Sequence, residues 1–471
     1  MNRFNRLAKR ATSSASAAKA SSTSSSAAAS TSLVADSSCS NGALTRACWS
    51  NGYSIATDFD QKHPTTGRTV TYNLDITNTT CNQDGHGEQS CMLINGQYPG
   101  PVIEANWGDM VSVTVTNSMK DNGTGIHWHG VRQFNSGGSD GVGGITECPI
   151  APGHSKTYNF QATQFGTSWY HSHFSSQYGM GVVGTMLFNG PASANYDVDL
   201  GTFPVTDWFY NDAWNVNAQA LESLQAGGGP PPGDTILING TMNNGGGGKY
   251  AQVTVKPGKK HRLRLINTSV DNFIRVKLDN HPFQVISADF IPTNPLPNQD
   301  WVMIGIGQRY DVVFTANQTA GTYIFRAEVA TDCLSANNGF GRALFTYSGQ
   351  SVSVPSNINA ASNAPTNGCS DLNVSPYWKQ AIDQNDFTSQ VHNFNLDLTH
   401  ETYTSNNESL VVWALNTTSM NVNWGQPTLE YVLNGTTNYP SYYDIVEIPQ
   451  EGVVSINDFL LLAGFSLTIC R

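Results

Sequence analysis

The chain has no apolar run long enough to cross a bilayer: the stretch 459–470 falls short of the ~20 apolar residues that a spanning helix needs, and it reads as a buried strand. Acidic residues are absent before Asp36, and no apolar stretch in that segment resembles the hydrophobic part of a secretory signal. Residues 1 to about 36 are rich in Ser and Ala and carry Arg3, Arg6, Lys9, Arg10 and Lys19. That composition is superficially like an organelle transit peptide, but the plainer reading is a disordered tail or a misplaced start site. Charge is scarce as well: only 13% of residues are charged and the net charge is −11, which leaves no basic footprint for nucleic acid or anionic lipid. Histidine stops early; of the 11 in the chain none follows His400.

Glycine and strand-forming residues fill the space that charge leaves. The 44 Gly and 21 Pro cut the chain into short pieces, and Val, Ile, Thr and Tyr recur with period two, as in Val111-Ser112-Val113-Thr114-Val115-Thr116. This is the pattern of an all-β sandwich protein with many turns. A length of 471 residues exceeds one ordinary core and predicts several domains. Eight Cys in a Ser/Thr/Asn-rich chain suit an oxidising compartment, and Cys81 and Cys91 flank a short loop that can close by pairing. Sequons at Asn78, Asn122, Asn239, Asn267, Asn317, Asn373, Asn407, Asn416 and Asn434 predict a secreted glycoprotein, with part of the set unused for want of exposure.

A repeat of long period organises the chain. Leu93-Ile94-Asn95-Gly96 recurs as Leu237-Ile238-Asn239-Gly240 and again as Val432-Leu433-Asn434-Gly435. Each is followed by a turn and an alternating strand, so a hairpin copied three times predicts three sandwich domains of similar topology. Gly166-Thr167-Ser168-Trp169-Tyr170-His171-Ser172-His173 aligns with Gly321-Thr322-Tyr323-Ile324-Phe325-Arg326-Ala327-Glu328, so the second unit keeps the scaffold without the histidines. Only about 20 residues follow the turn at Gly452, so the third unit lacks room for the back half of a sandwich.

The strongest chemical signal is His127-Trp128-His129 together with His171-Ser172-His173. Residues i and i+2 of a strand face the same way, roughly 6.5–7 Å apart, so two such pairs on neighbouring strands bring imidazoles together. Neutral imidazole suits copper, zinc, iron or nickel, and spacing alone does not choose among them. His281-Pro282-Phe283 falls on the second-unit strand equivalent to His127-Trp128-His129 and reads as a satisfied structural histidine. His63, His86, His154, His261, His392 and His400 stand alone and are expected to face solvent or loops.

At these residues the chain resembles the fungal laccases of the ascomycete type, members of the multicopper oxidase family. The resemblance rests on His127-Trp128-His129-Gly130-Val131-Arg132-Gln133, Ser139-Asp140-Gly141, Glu147-Cys148-Pro149-Ile150-Ala151-Pro152-Gly153, and Trp169-Tyr170-His171-Ser172-His173. It implies an all-β fold of three cupredoxin-like (plastocyanin-like) β-sandwich domains, the third incomplete. The corresponding boundaries are a tail at 1–50, domain one at 51–192, a copper-free domain two at 193–352 and domain three at 353–471. It implies copper as cofactor, with His127 a type 2 ligand and His129, His171 and His173 type 3 ligands. Its substrates would be phenolic small molecules and dioxygen, and the protein an extracellular monomer with no nucleic-acid or membrane partner. Asp140 resembles the family carboxylate that helps deliver protons at the cluster, and equally an Asp holding a Gly-flanked turn. Asp234 resembles the acid that hydrogen-bonds a phenol, and at least as much a loop Asp after Pro230-Pro231-Pro232-Gly233. Family disulfides are implied for Cys39 with Cys48 and for Cys333 with Cys369. Cys148 resembles a cysteine whose partner lies in a family tail, for which Cys470 is a fortuitous substitute.

The family's third motif, His-Pro-x-His-Leu-His-Gly-His-Asp-Phe, has no counterpart: Val453-Val454-Ser455-Ile456-Asn457 runs directly into Asp458-Phe459. The His-Cys-His motif is missing too. On this reading the type 1 site is gone and the type 2 and type 3 sites are partial, as in a truncated or mis-spliced, inactive laccase. The competing readings are a non-catalytic metal-binding cupredoxin protein and another multicopper oxidase of the ascorbate oxidase or ferroxidase type.

Overall fold

The computed structural model describes residues 39–370, 372–379, 396–402, 409–415 and 425–434. The N-terminal stretch, His392, the 453–462 junction and Cys470 lie outside them.

Eight strands build the first sandwich: β1 (Thr69–Cys81), β2 (Gln89–Ile94), β3 (Gly100–Asn106), β4 (Met110–Asn117), β5 (Ile126–Trp128), β6 (Ser155–Gln161), β7 (Gly166–Ser172) and β8 (Val183–Asn189). One sheet runs β2-β1-β4-β6 and the other β3-β8-β7-β5. The period-two pattern decides which side faces in. Val111, Val113 and Val115 of β4 are fully buried, while Thr114 and Thr116 hydrogen-bond across to Thr157 and Ser155 of β6 on the outer face. Trp107, Trp128, Tyr158, Phe160 and Phe188 fill the space between the sheets.

The second sandwich repeats this wiring with β9 (Val198–Trp208), β10 (Thr235–Ile238), β11 (Ala251–Val255), β12 (Lys260–Asn267), β13 (Ile274–Leu278), β14 (Phe283–Ala288), β15 (Ile291–Gln299), β16 (Val302–Ile304), β17 (Arg309–Thr315), β18 (Thr322–Val329) and β19 (Gly341–Tyr347). Its sheets run β10-β9-β12-β17-β14-β15 and β11-β19-β18-β13-β16. The parallel pair β1·β4 has its counterpart in β9·β12, and the antiparallel pair β7·β8 in β18·β19. The repeated Asn-Gly turns share one geometry: Asn95 and Gly96 have φ of 53° and 68°, and Asn239 and Gly240 have 49° and 80°. Two successive positive φ values make the tight hairpin turn that Asn-Gly favours. Between β9 and β10 lies helix α1 (Ala213–Gln225), started by the Asp212 carboxylate, which accepts from the Asn215 amide at 3.0 Å.

The third copy of the repeat differs. Val432 and Leu433 end a short helix, α2 (Thr428–Leu433), where Asn434 is the C-cap and its amide bonds to Glu430 O. Asn-Gly ends helices as readily as it turns hairpins, so the sequence signature does not separate the two. The other described part of this region is an antiparallel pair, β20 (Leu396–Thr402) with β21 (Ser409–Leu415). Helix α2 docks on the first sandwich: the Thr428 and Leu429 amides donate to Gly144 O (3.1 Å) and Ile145 O (2.8 Å). Trp378 likewise packs against Phe59 and donates its indole N–H to Ile55 O.

The disulfides Cys39–Cys48, Cys81–Cys91 and Cys333–Cys369 are all formed, and Cys148 is an exposed free thiol whose Sγ lies 3.7 Å from Gly425 O. Two histidine expectations need correction. His281 lies in the turn after β13 and not on the strand; it is buried, with Nδ1 on Asp279 O and Nε2 on the Tyr347 hydroxyl. His261 does not face solvent. It is buried on β12, stacked on Phe314, and its Nε2 accepts from the Lys256 amide. Among the sequons, Asn267 is fully buried and its side-chain amide is committed to Asn272 O and Ile304 O, so no glycan can reach it in the folded chain.

Candidate metal centre

Strands β5 and β7 pair so that His127 stands directly across from His171. His129 follows just past the end of β5, where its amide donates to Trp169 O at 3.1 Å; His173 follows β7, with its amide on Gly125 O. One ring nitrogen from each of His127, His129 and His171 comes within 4.8 Å of the others. His173 stands at their flank, its ring 5.5 Å from that of His127 and 5.9 Å from that of His171. A single short strand pair thus gathers both His-x-His motifs.

Backbone carbonyls set the imidazole tautomers. Asp140 O lies 2.9 Å from His127 Nδ1 and Ser172 O lies 3.1 Å from His171 Nδ1. A carbonyl only accepts, so both protons sit on Nδ1 and both Nε2 atoms present lone pairs. His129 Nδ1 faces His171 Nε2 at 3.4 Å. Burial, and after it the neighbouring His127, His129 and His173, hold His171 well below the ordinary imidazole range. It is therefore neutral, the form that ligates. A neutral His171 with the rings of His127 and His129 aimed at it fits a borderline-soft divalent ion such as copper, which has the highest affinity of the first-row divalent metals for nitrogen sites.

The shell around them is equally specific. Asp140's carbonyl reaches His127 because Gly141, at φ +85°, lets the loop press against β5; a Cβ there would lie 1.7 Å from Ile126 O. On the other side of the strand, buried Glu147 accepts from the Tyr158 hydroxyl at 2.8 Å and pairs with Lys156. Burial pushes Glu147 above the usual carboxylate range while the Lys156 ammonium pulls it back. Trp169 lies nearly parallel to both His129 and His171, with ring centroids 4.8 and 4.1 Å away, and the Ser168 hydroxyl donates to His129 O. Sequence reasoning missed Glu147, Ser168 and the packing of Trp169; the Ser168 and Trp169 contacts with His129 join residues about 40 apart in the chain, and nothing in residue type marks Glu147 as buried.

Of the two acids proposed from sequence, Asp140 is at the centre, with its carboxylate 3.4 Å from His127 Nδ1. Asp234 is not; it sits at the foot of β10, where its Oδ2 accepts from the Tyr210 amide at 2.8 Å. In the second sandwich the positions aligned with His171 and His173 carry ion pairs instead, Arg326 with Asp279 and Glu328 with Arg342.

Comparison with known proteins agrees with this arrangement. Residues 75–193 and 199–350 each match a family model described as multicopper oxidase. The chain is 49% identical to Laccase-3 of Botryotinia fuckeliana over 353 residues, 74% of this chain and 76% of that protein. It is 44% identical to a laccase of Neurospora crassa over 419 residues, 88% of this chain but 65% of the relative's length. Among solved structures, a laccase from Botrytis aclada superposes with a TM-score of 0.73 at 36% identity, covering 87% of this chain and 74% of that one.

Proposed function

The chain belongs to the multicopper oxidase family and is of laccase type by descent, and from that premise we propose that its first sandwich is a copper site. His127 is the type 2 ligand and His129, His171 and His173 are type 3 ligands. The observation that carries this reading is the convergence of three imidazoles within 4.8 Å, those of His127 and His171 buried and that of His129 half-buried, on and just past two paired strands. When bound by a complete ligand set, copper supplies the one-electron chemistry that couples oxidation of phenolic molecules to reduction of dioxygen to water.

The chain's own residues have assignable parts in that scheme. The carbonyls of Asp140 and Ser172 hold protons on Nδ1 and leave Nε2 for the metal. Trp169 closes one side of the His129–His171 pair against water. The Asp140 carboxylate, partly exposed beside His127, is the group for moving protons at the centre. Asp234, fixed by the Tyr210 amide, is the acid for a phenolic hydroxyl. The same reading divides the chain at 51–192, 193–352 and 353–471 after a tail at 1–50. It places the protein outside the cell, which the three disulfides and the exposed sequons Asn78, Asn122, Asn239 and Asn317 support, and takes it as a monomer.

The 471 residues contain no further His-x-His pair and no His-Cys-His, the motifs that supply the type 1 ligands and complete the type 2 and type 3 sets in the resemblance. This polypeptide by itself therefore binds copper without oxidising phenols. Copper-loaded protein should show no intense visible band of a thiolate-bound blue copper and no dioxygen uptake with a phenol. A blue protein that consumes dioxygen would overturn this part of the reading.

A further inference from the structure

Strand β7 is buried along its whole length because it has a partner on each face. Tyr170 points into the first core, whereas Thr167, Trp169 and His171 point the other way. On that outer face Thr167 Oγ1 donates to Asp311 of the second sandwich at 2.6 Å and accepts from Arg264 at 2.9 Å. The Trp169 indole donates to Gly307 O at 3.3 Å. One strand face thus runs from an inter-sandwich ionic network to the metal centre.

Arg309, buried at the start of β17, joins these contacts. Its Nε donates to Thr167 O at 3.1 Å, and its Nη1 donates to Gly307 O at 3.0 Å, the same carbonyl that takes the Trp169 indole. Asp289 steers the guanidinium from behind, with Oδ1 3.1 Å from Nη1. The remaining Nη2 lies over Gly130, the residue after His129, so closely that a Cβ there would sit 2.7 Å from it. One planar fork therefore braces the strand that carries His171 and the turn that carries His129. A lysine cannot do both, because its single ammonium has no fixed fork.

We infer that Arg309, supplied by the sandwich that carries no His pair of its own, is a positioning residue that sets the separation of His129 and His171 for the metal. This rests on the reading that these histidines hold copper. On it, the second sandwich is a clamp on the copper strands.

The test uses the full chain and Cu(II) titration, with pulsed EPR of the imidazole nitrogens and circular dichroism alongside. Arg309→Lys should keep the fold, weaken copper retention about tenfold or more and alter the nitrogen couplings. Asp289→Asn, at a side chain about one-third exposed, should fold normally and move both readouts the same way by less. If Arg309→Lys fails to fold, Asp289→Asn decides. Unchanged copper affinity and couplings in the folded variants would overturn the inference, even if thermal stability falls. His171→Ala separates the two ideas: wild-type copper binding that ignores this change refutes the copper site itself, whereas binding that needs His171 but not Arg309 refutes only the clamp.

Discussion

The Asp140 carbonyl reaches His127 only because the next residue has no side chain. Gly141 combines a positive φ with an approach to Ile126 O that no Cβ tolerates. Gly141→Ala should therefore destabilise the chain by about 2–4 kcal/mol in urea unfolding, well beyond an ordinary loop substitution. It should also release His127 from its tautomer and weaken copper retention, whereas Gly137→Ala, with open space around its Cβ position, should do neither. At this scale the sequence is half legible. Asp140 was recognisable as an acid near the histidines, but the atom that fixes His127 most closely is its backbone oxygen, and a carbonyl leaves no trace in residue type. His261 was misread for a related reason. In Lys259-Lys260-His261-Arg262 the neighbours suggest solvent, yet Arg262 is buried too, paired with Asp311 against the first sandwich. Charge in a strand signals exposure only when no partner charge awaits it.

Strands and turns carried most of the recoverable information. The alternation in β4 and the two Asn-Gly hairpins were readable because they depend on local backbone chemistry. Asn117 and Asn267 show how deep the repeat goes. Each ends the equivalent strand, is fully buried, and spends its amide on the carbonyl five residues on and on a second, more distant carbonyl, Ile150 O or Ile304 O. A sequon reading saw only the second of them, and for the wrong purpose. Asn434, the third copy's Asn, caps a helix, since a dipeptide specifies a local bend and not the element before it. The network joining β9, β12 and β7 has a pH signature. Asp199 keeps part of its carboxylate in water; its partial desolvation raises the carboxyl, but the guanidiniums of Arg264 and then Arg262 outweigh that and hold it at about 2. Its folded value lies below the ~3.9 of an unfolded Asp. The stabilisation is therefore present above about pH 4 and is lost as pH falls toward 2. Asp199→Asn should flatten the acid limb of stability against pH over that window by about 1–2 kcal/mol; an unaltered limb in urea titrations would contradict the assignment.

Across the whole molecule, the two sandwiches divide their labour by what fills one strand position. The first places His171 and His173 there, and the second places Arg326 and Glu328 in ion pairs on the same scaffold. That division was legible from the aligned segments alone. Contacts between the sandwiches were not, because Arg309, Gly307 and Thr167 are ordinary residues until the fold juxtaposes them. Helix α2 on the Gly144–Ile145 backbone shows the later part of the chain meeting the loop that starts with Asp140, another contact with no sequence signature. The most direct test of the account is copper retained per chain after loading and exhaustive dialysis, for the wild type and for His127→Ala and His171→Ala. Tight copper in the wild type, with affinity lowered at least about 100-fold in each variant while the β-sheet spectrum is preserved, is the expected result. Equal copper retention in all three proteins would contradict it.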